Sequence, residues 1–244
     1  MKSKDQELLQ SYTRVSSSYD ETRFVASVEA FMCSALLKLL DVQAGIRVLD
    51  VAAGTGRTAI PLAKTGAMVA ALDLTPAMIG RMRCKVLTHN LKNLHLQQAN
   101  ARFLPFPDNT FDVVLSFRFL HLFSVEDQVL LLDEFHRVAR LGGKVLVEYN
   151  NSGARWAGGI FQDISRFARG KNPLSRAKAS QLQTLYQHYQ VLQQQGFSLP
   201  FIGAVARLSP GIANRLLKLS MQDRARPYAR YLWIVSAKAR PESK

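Results

Sequence analysis

Apolar positions along the chain switch repeatedly between two periodicities. From Glu21 to Leu40 they recur at helical spacing (Phe24, Val25, Val28, Phe31, Met32, Leu36, Leu37, Leu40), which predicts an amphipathic helix. After a loop at Asp41 to Gly45, Arg47-Val48-Leu49-Asp50-Val51 reads as a short strand that stops at Ala52-Ala53-Gly54-Thr55-Gly56. Arg57 to Thr65 is again helical. The alternation continues with strands at Ala67 to Leu72, Leu94 to Gln98, Phe111 to Ser116 and Lys144 to Tyr149, and helices at Pro76 to His89 and Val125 to Arg140. Strands alternating with helices predict parallel strands joined by right-handed crossovers, with helices on both faces of the sheet.

The pattern changes after Tyr149. Asn150 to Ala179 is rich in Gly, Asn, Ser and Arg and reads as an insertion. Gln181 to Gln195 predicts a helix (Leu182, Leu185, Tyr189, Leu192) with Gly196 as its C-cap. Strand-like runs at Pro200 to Arg207 and Tyr231 to Ala237 flank a basic helix near Ile212 to Met221. The fold class expected is α/β, doubly wound, with a mostly parallel seven-stranded sheet. A single domain over 1–244 would comprise an N-terminal helical cover (1–44), a ligand-binding core (45–150) and basic inserted segments covering the substrate (151–180 and 209–230).

Composition changes this picture little, but charge does. With 244 residues, 48% hydrophobic and 20% charged, the chain is an ordinary globular one. No window approaches the roughly 20 apolar residues of a membrane span, and the first twenty residues are too polar for a secretory signal, so a cytoplasmic location is expected. Cys33 and Cys84 give neither a disulfide framework nor ligand spacing, and the five histidines form no metal constellation. Of the formal net charge of +14, residues 1–150 carry 17 basic and 15 acidic side chains, while residues 151–244 carry 15 and 3. An anionic partner would therefore meet the last third.

Candidate chemistry starts at Gly54-Thr55-Gly56. A glycine turn directly after a buried strand lets a ligand approach the main chain closely, and the helix that follows offers unpaired N–H groups. By itself such a turn is also an ordinary connection. Asp73, at the end of the next strand, adds a carboxylate that can take both hydroxyls of a ribose lying across the turn; the alternative is a cap on the helix near Pro76. Together they favour a nucleoside cofactor.

Four ordered motifs then carry a resemblance: Val48 to Arg57 (VLDVAAGTGR), Leu72 to Met78 (LDLTPAM), Ala99 to Val114 (ANARFLPFPDNTFDVV) and His136 to Lys144 (HRVARLGGK). They resemble the class I S-adenosylmethionine-dependent methyltransferases, within them the small-molecule and quinone-ring branch with the methyltransferase type 11 domain. The resemblance implies a Rossmann-like fold with S-adenosyl-L-methionine as cofactor. It places Asp50, Ala52, Gly54, Thr55 and Gly56 at the methionine part, Asp73 on the ribose, Leu74 and Met78 beside sugar and adenine, and Asn100 and Ala101 at the adenine. Ser116 would close the set on the fourth strand, and Tyr19 would fold over the cofactor, unless it is simply a surface tyrosine. The family usually has Asp where this chain has Asn100, an amide that can still accept from an amino group and donate to a ring nitrogen.

For catalysis the candidates are His121 and Arg118, after the fourth strand. An imidazole with a pKa of about 6.5 could take a proton at neutral pH, or could merely pack there. A guanidinium could clamp an anionic or carbonyl-bearing substrate, or form a salt bridge at the sheet edge. Glu148, Tyr149 and Asn150 should approach the same pocket, with Glu148 and Asn150 on one side of the strand and Tyr149 on the other. Arg155, Trp156, Phe161, Arg166, Phe167 and Arg169 would form the substrate cover.

The implied reaction is methyl transfer to a small or lipophilic acceptor such as a quinone, a lipid or another metabolite. The alternatives are the same fold and cofactor acting on RNA, a non-methyl modification of a quinone ring, or a non-catalytic cofactor-binding module. The helix near Ile212 to Met221 suggests contact with an anionic membrane surface, or a core-facing helix with solvated arginines. Nucleic acid is disfavoured, since no recognition module accompanies the charge.

Overall fold

The structure is a computed structural model that describes residues 3–20, 26–150, 179–197, 202–222 and 231–238. The N-terminal helices are α1 (Ser3–Val15), followed by a 3-10 turn (Ser16–Ser18), and α2 (Ala26–Leu40). The core runs β1 (Arg47–Val51), α3 (Ala59–Lys64), β2 (Met68–Asp73), α4 (Pro76–Thr88), β3 (Leu94–Gln98), β4 (Phe111–Ser116), a 3-10 turn (Leu120–Leu122), α5 (Val125–Val138) and β5 (Ala139–Asn150). The C-terminal part contributes α6 (Ala179–Leu185), β6 (Tyr189–Phe197), α7 (Ile202–Leu208), α8 (Pro210–Ser220) and β7 (Tyr231–Lys238).

These strands form one sheet in the order β3-β2-β1-β4-β5-β7-β6. Strands β1 to β5 pair in parallel, and β7 is inserted antiparallel between β5 and β6. Chain order reverses between β1 and β4, the position where open α/β sheets leave a crevice at the strands' carboxyl ends.

Side-chain alternation divides the core between the two faces. Val48, Val69, Val113 and Leu115 point toward α2 to α4, where they meet Leu36, Leu40, Ile60, Leu62 and Met82. Leu49, Val51, Val114, Val145 and Val147 point the other way, onto Leu131, Leu132 and Phe135 of α5 and Leu185 of α6. Helix α5 starts at Ser124, whose hydroxyl accepts from Asp127 N at 3.3 Å, and has Glu126 and Asp127 in its first turn with Arg137 in its last, as the helix dipole favours. A third cluster, around Trp233, Phe197, Ile202, Ala213 and Leu217, seats α7 and α8 against α2.

Two expectations in the C-terminal third are corrected. The helix expected over Gln181 to Gln195 ends at Leu185, and Tyr189–Phe197 is strand β6. Gly196 is therefore no C-cap; it sits in the ladder opposite Leu232. Apolar spacing in this stretch fits a helix, but the open edge of β7 offers hydrogen bonds along eight paired positions from Tyr189 to Phe197, and pairing prevails. Conversely, the strand expected over Pro200 to Arg207 is helix α7, whose Ile202 and Ala206, four residues apart, are buried together under the Trp233 cluster. The sheet still has seven strands. The insert 151–178 and residues 223–230 of the second cover lie outside the described residues.

Candidate functional site

At the crevice, β1 delivers a tight turn that its sequence can make only with unusual backbone angles. Ala52, Gly54 and Gly56 all have positive φ (59°, 58° and 82°), a conformation that costs non-glycine residues roughly 1–2 kcal/mol. Gly56 has a second constraint: a Cβ there would lie 2.7 Å from Met82 Cγ and 2.8 Å from Met82 Sδ. At Gly54 an added Cβ would meet nothing within 4 Å, so the main chain borders open space.

Asp73 joins the second motif to this turn. One carboxylate oxygen accepts from Gly54 N at 2.9 Å, the other from Thr75 N at 2.8 Å. The carboxylate thus fixes the glycine turn and the start of α4 at once. Burial pushes its pKa up, against the two backbone bonds that lower it. Asp50 lies deeper, 2% exposed, with its Oδ2 buried and without a hydrogen-bond partner. Burial first, and then the neighbouring Asp73 charge, raise the Asp50 pKa to about 8, partly offset by the Ala59 backbone N–H.

A cavity of about 70 Å³ opens beside these groups. Among the sequence-predicted residues, Tyr19, Ala52, Gly54, Asp73, Leu74, Met78, Asn100, Ala101 and Arg118 line it. The remaining candidates do not. Asp50 is under the turn. Thr55 is fully buried, with its hydroxyl donating to Asp20 Oδ1 at 2.6 Å, while Lys85 Nζ reaches Asp20 Oδ2 at 2.7 Å and the Thr55 carbonyl at 3.1 Å. This cluster fastens the N-terminal segment to the glycine turn. Gly56 faces Met82, and the Ser116 hydroxyl donates to the Val51 carbonyl at 3.0 Å inside the sheet.

His121 sits on the 3-10 turn outside the lining, although its neighbours Phe119, Leu122 and Phe123 belong to it. Arg118, two residues after β4, has φ of 55° and lines the cavity, 3.7 Å from Glu148 and with its guanidinium 5.4 Å from the centre of the Tyr231 ring. The expectation that Glu148 and Tyr149 approach the pocket is corrected. Glu148 is buried and accepts from Trp233 Nε1 at 2.9 Å, and the Tyr149 hydroxyl meets that of Tyr186 at 3.1 Å on the opposite face. Neither lines the cavity: the Trp233 indole occupies Glu148 and the Tyr186 hydroxyl meets Tyr149. Arg155, Trp156, Phe161, Arg166, Phe167 and Arg169 lie outside the described residues.

Sequence reasoning missed most of α1. Asp5, Leu8, Leu9 and Tyr12 line the cavity together. Their spacing of i, i+3, i+4 and i+7 marks one helix face, a signal present in the sequence that does not reveal what that face covers. Phe117, Phe119 and Phe123 add an aromatic part to the lining.

With this geometry in place, residues 48–143 match the family model described as "Methyltransferase domain". This stretch, less than half of the chain, is similar to a methyltransferase domain. Over 101 residues it is 44% identical to an uncharacterized protein of Mycobacterium tuberculosis, a match covering 41% of this chain and 36% of that protein. Over 145 residues it is 37% identical to the demethylmenaquinone methyltransferase of Tropheryma whipplei, covering 58% of each. The matches thus span about a third to just over half of these relatives' lengths. In fold, the chain resembles the magnesium protoporphyrin IX methyltransferase of Synechocystis, with a TM-score of 0.68 at 11% identity over 97% of this chain and all of that one.

Proposed function

We propose that this chain transfers a methyl group from S-adenosylmethionine to a small, lipophilic acceptor such as a quinone or a lipid. The observation that carries the reading is the Asp73–Gly54 junction at the mouth of an apolar cavity, in a chain whose residues 48–143 match a methyltransferase-domain model. The residues fit such a cofactor. Asp73, at the cavity wall, can take ribose hydroxyls, and Asp50, beneath the turn, has a buried carboxyl oxygen with no hydrogen-bond partner on the side of the ammonium end. When bound, the sulfonium supplies an already activated methyl group.

The chain's own task is then to orient and to exclude water. The open Gly54 backbone admits the ligand, Leu74 and Met78 provide an apolar wall, and α1 lies over the cavity. Phe117, Phe119 and Phe123 suit a planar apolar acceptor, and Arg118 can orient a carbonyl or anionic oxygen. His121, outside the lining, has no assigned step. The identity of the relative from Tropheryma whipplei supports a quinone-like acceptor.

An outer face on α7 and α8 supports a membrane-borne acceptor. Ala213, Leu217 and Ser220 of α8 are buried, whereas Ile212 and Leu219 are about half exposed and Leu208 is 89% exposed. Arg207, Arg215 and Lys218 are exposed with them, and residues 202–222 contain no acid. Such a face complements anionic lipid. Among the described residues no helix is long and apolar enough to cross a membrane. The decisive experiment compares extracts of cells with and without the gene by mass spectrometry: loss of a lipid or quinone and gain of its counterpart lighter by one methylene supports the reading, and unchanged lipid and quinone profiles refute it.

A further inference from the structure

The cavity end between α1 and the loop after β3 contains a carboxylate that no motif announces. Asp5 is 3% exposed and lines the cavity, 95 positions in sequence from the Asn100 side chain it meets. Asn100 Nδ2 donates to Asp5 Oδ2 at 3.0 Å, and Asn100 Oδ1 accepts from Arg102 N at 3.0 Å. The amide of Asn100 is thereby committed at both ends to holding its own loop and α1. The Arg102 guanidinium, its Nε 3.5 Å from Asp5 Oδ1 and its Nη1 2.7 Å from Asp127, balances the charge.

A carboxylate offers about four lone-pair directions; Asn100 takes one on Oδ2 and Arg102 faces Oδ1. Leu8 and Leu9 flank Asp5 on the same helix face, with Met78 also in the lining, so this end combines apolar walls suited to a flat ring with an anionic acceptor. The junction of Asp73 with Gly54 marks the sugar position, and Ala99 N donates to the Asp73 carbonyl at 3.2 Å, so Asn100 and its partner Asp5 adjoin that position, where a base attached to that sugar would extend.

We propose that Asp5 is the residue that reads the base of the bound nucleoside, accepting from an exocyclic amino group, with Asn100 and Arg102 positioning it. This inference rests on the cofactor reading above and deepens it. It makes α1 part of the binding site, and makes the preference for an aminopurine depend on a side chain outside the matched domain.

The test uses the full chain and two ligands, S-adenosylhomocysteine and S-inosylhomocysteine, which carries a carbonyl in place of the amino group. A hydrogen bond to a charged acceptor corresponds to a preference of about tenfold or more. Titration calorimetry should show the wild type favouring the adenosyl ligand by that factor, and Asp5→Asn, able to donate to the carbonyl, should reduce the preference to about threefold or less. Asp5→Ser, which also removes the acceptor charge, is the second variant should Asp5→Asn not fold, as checked by circular dichroism. Equal affinities in the wild type, or an undiminished preference in either folded variant, overturn the proposal. Absence of binding of both ligands by the wild type refutes the cofactor reading itself, a result distinct from retained discrimination in a variant.

Discussion

Replacing Asp50 by Asn should change how stability depends on pH in a way that can be worked from the site. The wild-type carboxyl is buried beneath the glycine turn, with its pKa raised to about 8 by burial and by Asp73. In the unfolded chain it returns to about 3.9. The folded-state pKa is the higher one, so the neutral acid's stability contribution is complete below the unfolded value and is lost as pH rises toward 8. Between those limits only the unfolded form has released its proton. Unfolding free energy then falls by up to about 1.4 kcal/mol per pH unit from this group. Asn cannot ionise, so the variant lacks this loss. Its stability relative to wild type should rise steadily from pH 5 to pH 8, by at most about 4 kcal/mol, and level off above. Urea unfolding of both proteins at four pH values measures it, and taking the difference cancels other titrating groups such as His136, whose pKa burial lowers to about 3. Parallel pH profiles would refute the claim that Asp50 is held as a buried acid.

Other outcomes follow from the same geometry. Asp73→Ala removes the acceptor of Gly54 N and Thr75 N and should weaken S-adenosylhomocysteine binding by about a hundredfold, two charge-assisted hydrogen bonds' worth, with the circular dichroism spectrum unchanged; calorimetry reads it. Gly56→Ala combines φ of 82° with a Cβ 2.7 Å from Met82, so a loss of about 2–4 kcal/mol is expected in denaturant melts. A loss under about 1 kcal/mol would show that the turn relaxes freely. In liposome sedimentation at low salt the chain should favour anionic over neutral vesicles, and Ile212→Glu with Leu219→Glu should abolish the preference; equal partition into both vesicle types would remove the membrane reading.

The parts of this structure legible in sequence are those fixed by local pattern. The strand, glycine turn and helix from Arg47 to Lys64, and Asp73 at the end of β2, are contiguous signals, and the structure joins them through one hydrogen bond from Gly54 to Asp73. What local pattern could not supply was partner choice. Tyr189–Phe197 becomes a strand because β7 offers it a ladder, and Ile202–Leu208 a helix because the cluster around Trp233 takes Ile202 and Ala206. The same applies at the site. Thr55 and Ser116 belong to recognisable motifs, yet their hydroxyls are turned to Asp20 and to Val51, away from the cavity. Asp5 belongs to no motif and reaches the cavity only because α1 folds back over a loop 95 residues distant. Periodicity identifies the face of α1 but carries no information about what that face meets.

The central claim, that the glycine turn and Asp73 hold S-adenosylmethionine, is tested most directly by calorimetric titration of the purified full chain with S-adenosylmethionine and S-adenosylhomocysteine. Saturable binding at one site per chain, sharply weakened by Asp73→Ala, is the result predicted. Absence of binding of either ligand at millimolar concentration would contradict it.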